Sequence, residues 1–132
     1  MHMVEIGTTL ERRGPVPEQD CISFLGPDVQ PSLATPAMIS RMEFTARDAV
    51  LPHLGQGQDT VGTHVNVSHL AATPAGAEIT YRATVRAIEG RKIIFDVEAA
   101  DEQEVVGKGT HKRFVIDVAR FAEGLKKKFG QT

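Results

Sequence analysis

Across the second half of the chain, apolar and polar positions change places with a period close to two. In "EITYRATVRAI", residues 78 to 88, Ile79, Tyr81, Ala83, Val85 and Ala87 share one side, and Glu78, Thr80, Arg82, Thr84 and Arg86 share the other. Runs of the same kind cover residues 61–70, 92–100 and 104–117, separated by "TPAG", "EGR" and "DEQ", which suit turns and hairpins. One segment follows a helical period instead. "ATPAMISRMEFTARDAVLPHL" brings Ile39, Met42, Ala46 and Val50 onto one stripe, with Thr35 predicted as N-cap, Pro36 at the first helical position and Pro52 as the stop. Upstream, residues 4–16 are strand-like. "PVPEQDCISFLGPDVQPSL" reads as turns around a short strand at residues 21–24, and "VARFAEGLKKKFG" predicts a short terminal helix.

One long helix followed by four strands, each with a single apolar face, has a natural solution in which the sheet wraps around the helix. This predicts an α+β hotdog fold, an antiparallel sheet around one central helix, as a single domain over residues 1–132. The open sheet edges favour pairing with a second copy, so a homodimer is expected.

Composition narrows the function classes. A net charge of −2 and an aromatic content of 5% supply neither a basic field nor stacking rings for nucleic acid, and "GLKKKFG" reads as a solvated last turn of helix. No apolar run approaches the ~20 residues needed to span a bilayer, and no secretory leader pattern opens the chain. A soluble cytoplasmic protein without a membrane partner is the expectation. The single Cys21 has no partner for an internal bridge and no histidine or other base near it in sequence.

Two residues break the patterns. Read with period two, Val61, Thr63, Val65 and Val67 share a face that ends in His69, with Gly62 and His64 on the opposite face. On the helix, Glu43 falls within the apolar stripe, where an ionised carboxylate needs a partner or a raised pKa. Each has an ordinary explanation: a histidine satisfied by a backbone carbonyl, and a glutamate paired with an arginine at the stripe's edge. Together, on facing apolar surfaces, they form a candidate acid/base pair. Thr35 lies about 12 Å along the helix from Glu43, so it either caps the helix or acts on a substrate shared across a dimer interface. His64 and His69 point to opposite faces and cannot share one ion, and His53 and His111 add no ligand pattern, so no metal is expected. "IEGRK" is a hairpin turn, not a phosphate loop.

The segments "ATPAMISRMEF", "VGTHVNVSHLAATPAG", "EGRKIIFDVEA" and "GKGTHKRFVI", with their spacing from Thr35 to about Phe121, resemble the fluoroacetyl-CoA thioesterase family of hotdog proteins. The resemblance implies a catalytic set of Thr35, Glu43 and His69. It implies substrate binding by Gly62, His69 and Arg113, an acyl-CoA substrate, and no cofactor. Gly107 and Gly109, in phase with Arg113, fit a strand approached closely by another backbone or a ligand. The connection "LGPDVQPSLATP" carries no aromatic residue where the family's namesake has aromatic lid residues, and Pro36 follows Thr35 where a glycine is expected. The resemblance therefore implies a small acyl-CoA thioesterase without implying fluoroacetyl selectivity. The alternative is a hotdog module that binds acyl-CoA without hydrolysing it. A hydratase of the same fold would want an aspartate and a histidine close in sequence, a pattern absent here.

Overall fold

A computed structural model describes residues 2–130. Strand β1 (Thr9–Pro15) is followed by the short strands β2 (Cys21–Ile22) and β3 (Ser32–Leu33), helix α1 (Thr35–Val50), the long strands β4 (Gln58–His69), β5 (Glu78–Glu89), β6 (Lys92–Asp101) and β7 (Val105–Asp117), and helix α2 (Val118–Phe129). The main sheet is antiparallel throughout, in the order β1, β5, β6, β7, β4, and β2 pairs with β3 apart from it. α1 packs across one face of this sheet, in contact with all five strands, as the hotdog expectation requires.

The alternation of apolar residues becomes the core. Ile79, Tyr81, Ala83 and Val85 of β5 and Ile93, Phe95, Val97 and Ala99 of β6 are buried against Met38, Met42, Ala46 and Val50 of α1. The helical stripe is centred on Met38 rather than Ile39, which is only half-buried. Thr45 joins this stripe because its hydroxyl donates to the Arg41 carbonyl at 2.7 Å, which satisfies its polar atom inside the core. The predicted stop holds: a 3-10 turn at Leu51–His53 contains Pro52.

Three expectations change. Thr35 is the first helical residue and not the N-cap; Ala34 occupies that position and no side chain caps the helix. "TPAG" does not close a hairpin, since β4 pairs with β7 and β5 with β1 and β6. "EGR" does, through a two-residue turn in which Gly90 takes φ +64°.

The third change is in β4. The ladder with β7 shifts register between Gly62 and His64, leaving Thr63 as an extra residue. Such a bulge moves the following side chains to the other face. Gly62 lies opposite Arg113, whereas Val65, Val67 and His69 lie opposite His111, Gly109 and Gly107. Cross-strand partners share a face, so Gly62 and His69 look the same way, contrary to an unbroken period of two. The same kind of irregularity after Val85 turns Ile88 inward in place of Ala87, opposite the buried Ile93.

Gly109 has no room for a side chain. A Cβ there would lie 2.6 Å from the Val67 Cα and against the Asn66 carbonyl, backbone atoms that cannot move aside. A Cβ on Gly107 would instead meet the end of the Met38 side chain, which can adapt. We expect Gly109→Ala to cost about 3 kcal/mol, an overpacking penalty that lowers the thermal midpoint by about 10 °C. Gly107→Ala is expected to cost less. Thermal unfolding of the two variants in parallel checks the order.

Candidate functional site

Two groups of polar side chains face the helix side of the sheet at opposite ends of β4. At the end nearer the start of β4, Arg113 is 6% exposed. A guanidinium so deep needs every available acceptor. Its Nε donates to Thr60 Oγ1 at 2.7 Å and its Nη2 to the Thr60 carbonyl at 2.9 Å. Nη1 lies 3.1 Å from His111 Nε2 and 3.5 Å from Glu43 Oε1. Burial pulls the pKa of Arg113 down, with the nearby Glu43 opposing the shift.

Glu43 lies on the flank of the apolar stripe with its side chain 35% exposed. The partner required of a carboxylate in this position is Arg113. Gly62 leaves the space for it: a Cβ there would stand 2.6 Å from Glu43 Oε1. The helix is fastened to β4 just beyond, where Arg47 makes a forked pair with Asp59, at 2.9 and 2.6 Å. Ser40, Glu43, Phe44, Arg47 and Arg113 border a cleft of about 130 Å³.

His111 is buried beside them, stacked on Phe95 at 6.1 Å between ring centres. Its Nδ1 is 2.9 Å from the His64 carbonyl, which can only accept, and its Nε2 faces an arginine N–H, which can only donate. The ring is therefore neutral and protonated at Nδ1. Burial, above all, lowers its pKa. The 3.8 Å approach of Nε2 to Glu43 is for that reason a contact and not an ion pair.

At the far end of β4, His69 Nδ1 and Thr35 Oγ1 are hydrogen-bonded at 2.7 Å, the ring's tautomer setting which of them donates. The other ring nitrogen, Nε2, is buried with no hydrogen-bond partner among the described residues. Thr35, freed from capping, is the neighbour of His69 in its own chain. A single chain thus joins Thr35 to His69, and Glu43 to Gly62 and Arg113. It does not bring the two groups together, since Thr35 and Glu43 are about 12 Å apart along α1.

The sequence offers His111 only as a rejected metal ligand and does not single out Thr60. The signal for His111 is in "GKGTHKR": Gly107, Gly109, His111 and Arg113 keep one phase, so a strand that turns Arg113 inward turns His111 inward too. Cys21 plays no part here; burial and the neighbouring Asp20 and Glu18 raise its thiol pKa, which disfavours the thiolate. The larger hollow, about 560 Å³, lies on the other flank of α1 against β1 and holds none of the residues singled out from sequence. Its arginines are already paired, Arg12 with Asp48, Arg13 with Glu78 and Arg41 with Asp20, and burial pushes the pKa of its Tyr81 up to about 12.

A family model described as fluoroacetyl-CoA-specific thioesterase matches residues 16–119. The fluoroacetyl-CoA thioesterase of Streptantibioticus cattleyicolor is 38% identical over 95 residues, which span 72% of this chain and 68% of that protein. The solved structure of the fluoroacetyl-CoA thioesterase FlK is similar with a TM-score of 0.85 and 31% identity, over 96% of this chain and 98% of that one. A variant of FlK has been solved in complex with fluoroacetate and CoA. A thioesterase superfamily member from Thermus thermophilus is similar over the full length of both chains, with a TM-score of 0.85 and 26% identity.

The neutral His111 makes stability depend on pH. The unfolded chain takes up a proton on this residue near the ordinary value of about 6.5, whereas the folded chain resists it to a lower pH. Acidification through and below that value therefore favours unfolding, until the lowered folded pKa is passed. We expect urea midpoints to fall between pH 7.5 and pH 5.5, and the fall to be smaller in His111→Phe. Equal slopes in the two proteins would contradict the assignment of a buried neutral ring.

Proposed function

The chain belongs to the fluoroacetyl-CoA-specific thioesterase family, and from that premise we propose a hydrolysis site assembled from the two ends of β4. The chain is an acyl-CoA thioesterase, which cleaves the thioester to a free acid and CoA. The observation that carries the proposed site is the separation just described. Glu43, Gly62 and Arg113 stand at one end of an edge strand, and the hydrogen-bonded Thr35 and His69 stand at the other.

β4 forms an edge of the sheet, and Val65, mid-strand, keeps 38% of its surface exposed. Two copies joined antiparallel along this edge, about a two-fold axis near its middle, would set the Glu43 end of one chain beside the Thr35–His69 end of the other. Each dimer would then hold two composite sites. Thr35 travels with His69, not with the Glu43 of its own helix.

In each site Glu43 acts on the thioester carbonyl by one of two routes. It takes a proton from water as the water oxygen bonds to the carbonyl carbon, or its own oxygen forms that bond and gives a mixed anhydride that water then opens. In both routes the carbon–sulfur bond breaks and the thiolate receives a proton from His69 Nε2, which the proton released by water replaces, passed on by Glu43 in the first route and taken directly by His69 as the anhydride opens in the second. The backbone amide at Gly62 faces the developing oxyanion. Arg113 borders the cleft with four of its five N–H donors engaged, so it holds Glu43 and keeps one Nη2 donor for the acyl-CoA.

Thiol release from short, branched and aromatic acyl-CoAs, followed with a thiol reagent, tests the reaction. Glu43→Ala is expected to remain folded, because alanine favours helix on an apolar flank, and to lose 10-fold or more in rate, about the contribution of a general base. An equal loss in Glu43→Gln places the effect in the carboxylate. Tight binding of acyl-CoA with no release on any substrate would instead favour the non-catalytic binding module.

The composite site is tested by complementation. Subunits carrying Glu43→Ala and His69→Ala, each inactive alone, are mixed under conditions of proven exchange. Half of the dimers pair unlike chains, and each of these has one intact site, so activity should return to about a quarter of wild type. No recovery would place Glu43 and His69 of one chain in the same site.

A further inference from the structure

We propose that His111 is a positioning residue of the thioesterase site, a neutral acceptor that fixes the guanidinium of Arg113 against Glu43. This rests on the reading of Glu43 as the reacting carboxylate. The starting point is the sharing of one nitrogen. Arg113 Nη1 is 3.1 Å from His111 Nε2 and 3.5 Å from Glu43 Oε1, so the shorter and better formed of its two hydrogen bonds is to the imidazole.

The remaining bonds leave the guanidinium little freedom. Thr60 engages one edge through its hydroxyl and its carbonyl, and the imidazole sets the direction of the other edge. Without the imidazole acceptor, the Nη1 edge is free to close on Glu43, which would draw the carboxylate into a tight pair and out of the cleft it borders. With the acceptor in place, Glu43 keeps a cationic neighbour and an oxygen that is not fully taken.

His111 can do this because its two nitrogens meet partners of fixed and opposite character. The His64 carbonyl of β4 fixes the proton on Nδ1, Arg113 of β7 repels one on Nε2, and Phe95 of β6 covers the ring. Burial outweighs the hydrogen bond to the His64 carbonyl and the nearby Glu43 of α1, which both favour the charged form, while the His64 ring opposes that form. The carbonyl that holds Nδ1 belongs to the residue directly after the β4 bulge. The ring thus ties the bulge that follows Gly62 to Arg113, the residue opposite Gly62.

Two partial mimics separate its two bonds. The glutamine amide reaches the place of Nε2 and can accept from Arg113. The asparagine amide reaches the place of Nδ1 and can donate to the His64 carbonyl. Phenylalanine keeps the ring volume and makes neither bond. We expect His111→Phe to lower kcat about 10- to 100-fold, the scale for a misplaced reacting group, with KM changed by less than about threefold. His111→Gln should recover a clear part of kcat, and His111→Asn should not, whatever their thermal midpoints. If His111→Phe folds with the kcat of wild type, or if the three variants lose kcat in step with lost thermal stability, the proposal is overturned. Glu43→Ala in the same assay separates the two readings: if it keeps its rate, the role of Glu43 fails and this proposal with it. If it loses its rate while His111→Phe does not, this proposal alone fails.

Discussion

A permanently charged guanidinium with almost no exposed surface is the constraint around which this end of the molecule is built. Arg113 cannot shed its proton, so burial must be answered by acceptors. Each one comes from a different part of the fold: Thr60 from β4, His111 from β7 itself and Glu43 from α1. To supply them together, β4 and β7 must pair in one register and α1 must lie at one height above them. The forked pair of Arg47 with Asp59 fastens the helix at that height. The glycine opposite Arg113 is equally constrained, since any Cβ at Gly62 would take the space of the Glu43 carboxylate.

The elements were legible in the sequence because burial on one face imposes a period. The long helix, the four long strands and the inward residues of β5 as far as Val85 and of β6 follow from spacing alone. Bulges do not announce themselves in this way, because a single extra residue leaves composition untouched and changes only the phase. Thr63 is such a residue. An unbroken alternation sets Gly62 against His69, and the bulge puts them on one face. Thr35 was misread for a related reason. A threonine before a proline at a helix start has the composition of an N-cap, and only the position of His69 in space shows that the hydroxyl has another partner.

Of the candidate site, Glu43 and His69 stand out as exceptions to their patterns, Gly62 and Arg113 enter through a family resemblance, and His111 is weighed only as a metal ligand while its neighbours in phase are used. Its chemistry looked uninformative because a lone histidine in a strand is ordinary. What makes it specific is that its two nitrogens meet groups of fixed and opposite character, a fact of three dimensions.

The two histidines that face the helix differ in one property that decides what each can do. A proton shuttle must exchange its proton at one nitrogen while the partner of the other nitrogen tolerates both states. The partner of His69 is the Thr35 hydroxyl, which can donate or accept and so follows either tautomer. The partners of His111 are a carbonyl and a guanidinium, neither of which can reverse its role. Protonating His111 would set an N–H against an N–H within a buried cluster. His111 is thus suited to holding a charge in place and His69 to moving a proton. In the proposed composite site these two tasks come from different chains, the fixed ring of β7 beside the carboxylate that approaches the carbonyl and the adaptable ring of the partner's β4 on the side where the thiolate leaves.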